Sequence, residues 1–81
     1  MSGKLYIVAT PIGNLGDITI RAVDILKSVD LVLAEDTRHS KKLFAHYEIG
    51  TSLRAFHEHN EKHRTEAIIN KINAGKSIAM I

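Results

Sequence analysis

Three short stretches concentrate the side chains that could do chemistry. The first is Glu35-Asp36-Thr37-Arg38-His39-Ser40, which sets two carboxylates, two hydroxyls, a guanidinium and an imidazole side by side. Glu35 has the chemistry to hydrogen-bond hydroxyls or exocyclic amines, and Arg38 to grip a phosphate through its fork of N–H donors. The same residues would also make a plain capping turn, with Asp36 or Thr37 capping a helix and an acid pairing with Arg38. Residue types alone leave both readings open.

The second stretch is Thr10-Pro11-Ile12-Gly13-Asn14-Leu15-Gly16-Asp17. Pro11 fixes its own backbone and removes a donor. The glycines allow close approach by a ligand, and Asn14 and Asp17 add short polar groups. The spacing does not match G-x-G-x-x-G, so no dinucleotide fingerprint is present. The third is His57-Glu58-His59-Asn60-Glu61-Lys62-His63. Glu61 stands where H-E-x-x-H requires its second histidine, so the zincin pattern fails and no metal site is expected. His57 remains a candidate contact to a substrate or an anion. Gly75-Lys76-Ser77 resembles the end of a P-loop, but Asn70 occupies the first glycine's place and the triplet precedes a strand; Gly75 reads as a helix stop.

These stretches need a scaffold, and the apolar pattern supplies one. Leu5–Ala9, Leu31–Ala34, Leu53–Phe56 and Ser77–Ile81 read as short strands. Thr19–Ser28, Thr37–Tyr47 and Glu61–Ala74 read as helices. Ile18, Ala22, Val23, Leu26 and Val29 share one helical face, as do Leu43, Phe44 and Tyr47, and then Ile68, Ile69 and Ile72. A β-α-β-α-β-α-β alternation with continuously apolar strands predicts an α/β fold built on a parallel sheet. Ligands in such sheets bind beyond the carboxyl ends of the strands. Thr10–Gly16, Glu35–Arg38 and His57–Asn60 all fall there.

Composition bounds the class. The chain has 81 residues, a formal net charge of +2 and no cysteine. Disulfides, thiolate zinc sites and cysteine nucleophiles are excluded, and a reducing cytoplasm is the expected location. The N-terminal stretch lacks the apolar core of a signal peptide, and no segment is long enough to span a bilayer. Basic residues gather at Arg38, Lys41 and Lys42 and at Lys62 and Arg64, an arrangement that also suits two solvated helix faces.

Three blocks, LYIVATPIGNLGDITIRAVDIL, VDLVLAEDTRHSKKL and FHEHNE, closely resemble the start of proteins in the tetrapyrrole methylase superfamily, and within it the branch acting on ribosomal RNA. The resemblance covers nearly the whole chain. It implies an S-adenosylmethionine-dependent enzyme that methylates the ribose 2′-hydroxyl of a cytidine in small-subunit ribosomal RNA, working on the RNA or the assembled small ribosomal subunit, and commonly a homodimer. It implies two α/β domains with the methyl donor between them. Residues 1–81 would then be most of the N-terminal domain, with a further loop and a C-terminal domain beyond Ile81, and catalysis by this segment alone is not expected.

On the resemblance, the backbone at Pro11, Ile12, Gly13 and Asn14 would lie against the donor. The block containing Glu35, Asp36, Thr37 and Arg38 would face the cleft. Glu35 and Asp36 are then candidates for the base, and Thr37, Arg38 and His57 for substrate contacts. Two other readings compete: a related methylase acting on a small molecule or a protein, and a non-catalytic fragment that dimerises. The TPIGN loop departs from the glycine-rich version common among tetrapyrrole enzymes and favours the RNA branch.

Overall fold

The computed structural model describes residues 3–11, 14–56 and 61–81. It contains four strands, β1 (Leu5–Ile7), β2 (Leu31–Ala34), β3 (Leu53–Ala55) and β4 (Ile78–Met80). The helices are α1 (Ile20–Ser28), α2 (Thr37–His46) and α3 (Glu61–Asn73), and a single 3₁₀ turn covers Leu15–Asp17. The sheet is parallel throughout with strand order β1-β4-β2-β3. The expected α/β alternation is therefore present, with β2 as expected and the other strands and the helices one or two residues shorter than the apolar pattern suggests.

Strand order and handedness together decide where the helices lie. The β1→β2 and β2→β3 connections step the same way across the sheet, whereas β3→β4 steps back. Right-handed crossovers then put α1 and α2 on one face and α3 on the other. The core divides accordingly. Ala22, Leu26 and Val29 of the α1 segment and Leu43 and Phe44 of α2 pack with Val8, Val32 and Ala79 on one face. Ile68 of α3 packs with Leu33 and Ile78 on the other, joined by Ile72, Phe56 and Met80. Alternate residues of β2 and β4 thus enter opposite cores, the period-2 rule applied to strands covered on both sides.

Two predicted core positions differ. Ile69, expected on the inner face of α3, is 52% exposed. Ile68 and Ile72 lie four apart on the stripe that meets the sheet, and Ile69 falls beside it. Ile7 is 78% exposed, because α3 covers β2 and β4 but does not reach the β1 edge.

Helix ends are set by local chemistry. The Thr19 side chain accepts from the Ala22 amide at 3.0 Å and starts α1. Both α2 and α3 end in the same pair of reversed bonds. In α3, Gly75 N–H donates to Ile72 O and Lys76 N–H to Lys71 O, with Gly75 at φ 92°. In α2, Glu48 N–H donates to Ala45 O and Ile49 N–H to Phe44 O, with Glu48 at φ 55°. Each is a Schellman cap, which needs a left-handed residue. Glycine takes that conformation without strain, whereas the Cβ of glutamate is crowded in it.

The two caps make opposite predictions. Gly75→Ala should lower unfolding stability by about 1–2 kcal/mol, and Glu48→Gly should raise it by up to about 1 kcal/mol. Urea midpoints at constant slope would check both.

Candidate functional site

Beyond the carboxyl ends of β1, β4 and β2 lies an open cleft of about 350 Å³. Thr10, Pro11, Glu35, Asp36, His39 and Ile81 line it, with Ala34 and Ser40 at its floor. Parallel strands force all their carboxyl ends to one side, so the loop after β1 and the start of α2 meet there although they are far apart in sequence.

Asp36 is the N-cap of α2. Its Oδ1 accepts from the Arg38 amide at 3.0 Å and from Arg38 Nε at 3.3 Å, and its Oδ2 accepts from Arg38 Nη2 at 3.3 Å. The Arg38 side chain bonded to this carboxylate, together with the Arg38 amide, holds the Asp36 carboxyl below its ordinary range, and the same pairing raises Arg38. The capping turn with its local ion pair, one of the two readings open from sequence, is therefore formed. Arg38 itself is strongly exposed and does not line the cleft. Glu35, by contrast, has no hydrogen-bond partner among the described residues, and its exposed carboxylate lines the cleft.

His39 joins the two halves of the site. Its Nε2 lies 3.3 Å from the Pro11 carbonyl oxygen. A carbonyl only accepts, so Nε2 carries the hydrogen in that contact, and in the neutral ring Nδ1 is left as an acceptor. A second tie comes from Tyr47, whose hydroxyl donates to the Leu15 carbonyl at 2.7 Å. Both anchors project from the α2 segment onto the loop after β1. Within that loop the Asn14 side chain accepts from the Gly16 amide at 2.9 Å and starts the 3₁₀ turn.

The expected site residues separate into groups. Pro11, Glu35 and Asp36 are brought together. Asn14 is engaged within its own turn, Thr37 begins α2, and neither lines the cleft. Ile12, Gly13 and His57 lie outside the described residues. His63 is an exposed residue of α3, and among the described residues no group of three or more acids and histidines is placed to hold a metal ion. Thr10, His39 and Ser40, which belong to the candidate stretches but carried no role of their own, enter the cleft together with Ile81. The sequence signal available for His39 was its place one turn into a helix that opens at a strand's carboxyl end.

Comparison with known proteins fits this geometry. Residues 4–81 match the family of Tetrapyrrole (Corrin/Porphyrin) Methylases. The chain belongs to that family. It is 54% identical over 77 residues to the Vibrio cholerae protein named ribosomal RNA small subunit methyltransferase I, covering 95% of this chain and 27% of that protein. Proteins of the same name from Synechocystis sp. and Bacillus subtilis are 53% and 54% identical, each over 98% of this chain and 28% and 27% of their own length. The chain thus spans little more than a quarter of the curated relatives it matches.

Two measurements check the site. A lowered folded-state carboxyl means that the Asp36 bonds contribute stability above the unfolded value, and that this is lost as pH falls through the lower folded value. The NMR titration of the Asp36 carboxyl should therefore have a midpoint below that of a free aspartate near 3.9, and Arg38→Gln should move it upward. Tyr47→Phe leaves the Leu15 carbonyl without its partner. It should cost about 1 kcal/mol and speed amide exchange at Gly16.

Proposed function

We propose that this chain is the larger part of the N-terminal α/β domain of an S-adenosylmethionine-dependent methyltransferase. The complete protein, on this reading, methylates the ribose 2′-hydroxyl of a cytidine in small-subunit ribosomal RNA. It acts in the cytoplasm as a homodimer, on the RNA or the assembled subunit, with the C-terminal domain closing the cleft. Among the described residues no helix is long and apolar enough to cross a membrane. The observation that carries the reading is the convergence of Pro11, Glu35 and Asp36 on one cleft at the strand tips, in a chain whose relatives are named as methyltransferases of small-subunit ribosomal RNA.

The lining suits the donor chemically. The Thr10 hydroxyl, the Pro11 carbonyl and the carboxylates of Glu35 and Asp36 make an acceptor-rich wall. S-adenosylmethionine is a cation with hydroxyl and amine donors, and when bound it supplies an electrophilic methyl group on sulfonium sulfur. Pro11, with the neighbouring Ile12, Gly13 and Asn14, would form the backbone side of that wall, and His39 and Tyr47 would hold the loop in place.

The enzyme's tasks are alignment and proton removal. A ribose hydroxyl is a weak nucleophile until its proton begins to leave. Of the two candidate bases, Asp36 is occupied by Arg38, and its lowered carboxyl makes it the weaker proton acceptor. Glu35 has a carboxylate without a partner among the described residues. Glu35 would therefore take the proton of the ribose hydroxyl, with the donor supplying the methyl group when bound, and Asp36 acts as the N-cap of α2. Thr37, Arg38 and His57 are the substrate contacts of this proposal. Arg38 keeps N–H donors beyond the two that its side chain gives to Asp36, and at the cleft's outer edge these would meet a phosphate.

The test uses the complete protein with labelled donor and undermethylated small subunits. Label should appear on one cytidine ribose. Glu35→Gln should lower the rate by on the order of 10²–10⁴, and Asp36→Asn by much less. Calorimetry should find clear donor binding by the complete protein and weak binding by residues 1–81. Label on a small tetrapyrrole, or on a base, would overturn the substrate; an unaffected Glu35→Gln rate would overturn the base.

A further inference from the structure

A second cleft, of about 340 Å³, lies at the opposite end of the sheet, where the strands begin. Arg54 of β3, Lys71 of α3 and Lys76 of the α3–β4 turn line it, with Asp30, and its floor is Leu31 and Ile78. The three cations come from two pieces of chain, β3 and the end of α3 with its turn, and the fold explains their meeting. The Schellman cap at Gly75 turns the backbone so that Lys76 N–H bonds Lys71 O, which returns Lys76 to the end of α3. Parallel pairing sets Arg54 opposite Leu33, the residue of β2 that packs under α3, so Arg54 starts from the same sheet face.

The charges do not cancel within the cleft. Among the described residues Asp30 is the one acid of the lining, and its Oδ2 already accepts from the Ser77 amide at 2.8 Å. Among the described residues Arg54 donates one bond, from Nη1 to the Leu53 carbonyl at 3.0 Å, which leaves its other N–H groups without a partner there. The ammonium groups of Lys71 and Lys76 have no partner among the described residues. Three like charges around an open concavity raise its potential, and the group that relieves this is an anion with several acceptor oxygens.

We propose that this amino-end cleft binds a phosphate of a single-stranded RNA segment, at a site separate from the cleft beyond the strand tips. The proposal rests on the RNA reading above for the carrier of the phosphate. A four-residue strand such as β2 is only about 13 Å long, so one polynucleotide strand could run along the molecule and touch both ends.

The experiment titrates the isotope-labelled 81-residue chain, with amide shifts as readout, using a short single-stranded oligoribonucleotide in one arm and pyrophosphate in the other. The expected result is that the oligonucleotide shifts the amides of Leu31, Ser52, Lys76 and Ser77. In the triple variant Arg54→Gln, Lys71→Gln, Lys76→Gln its Kd should rise at least about tenfold, and the slope of log K against log salt should flatten by about 0.7 for each phosphate no longer neutralised. The variant's spectrum without ligand reports whether its fold is kept, and the single variant Lys76→Gln, at an exposed position, gives the same test at smaller amplitude. Oligonucleotide shifts confined to residues lining the strand-tip cleft, with Kd unchanged in the variants, would overturn the amino-end site and leave the RNA reading standing. Amino-end shifts with pyrophosphate and none anywhere with the oligonucleotide would overturn RNA as the occupant. No shift in either arm would overturn the proposal.

Discussion

The structure depends on the placement of β4 between β1 and β2. Ile78 pairs with Leu5 on one side and with Leu31 on the other, so the last strand in the chain is the seam that joins the first to the rest of the sheet. The β1–β4 pairing links residues roughly seventy positions apart, and the entropy of closing that loop opposes it. Burial offsets the cost: Ile78 and Ala79 are fully inaccessible, one in each core. Were β4 absent, Val8 would lose the backbone bond its amide makes to Met80 O, and the loop that starts at Ala9 would lose its anchor beside β2.

The strand-tip cleft follows from that seam. Val8 N–H bonds Met80 O and Ile81 N–H bonds Leu33 O, so the ends of β1, β4 and β2 are locked at nearly one level. The loop after β1 and the first turn of α2 then have no room to diverge. Asp36 fixes the first turn from within, and His39 and Tyr47 reach from the α2 segment to the loop. None of these ties has to be strong. A bond to an exposed backbone carbonyl contributes modestly, and its effect is to remove conformations the loop would otherwise visit.

How much of this was legible before the structure depended on the range of the interaction. The alternation of strands and helices, the cap at Gly75 and the facing of Leu43, Phe44 and Tyr47 were readable because each is set within a few residues. The cap at Glu48 was not, because a left-handed glutamate carries no compositional mark. The exposure of Ile69 and Ile7 depends on how far α3 extends over the sheet, which the strand order decides and periodicity does not record. In the site, adjacency in sequence brought Glu35 and Asp36 to notice together, yet their environments diverge: one carboxylate is paired and the other is open. His39 stood in the same stretch without a role of its own, because its partner, Pro11, is 28 residues away.

The two ends of the sheet differ in sign, and helix geometry accounts for part of that difference. α2 begins at the carboxyl end of β2, where a helix N-terminus favours a negative group, and Asp36 caps it there. α3 ends at the amino side, where the C-terminus favours cations, and Lys71 lies in its last turn. Dipole complementarity would therefore place some charge of these signs in a protein with no ligand at either end. It does not account for Arg54, which belongs to a strand, nor for Glu35, which precedes the cap and bonds no helix amide among the described residues. Those two side chains are the excess over what the helices require. Each lines a cleft, Glu35 among acceptors and Arg54 among donors, and in both places the surplus points to a group from outside the chain.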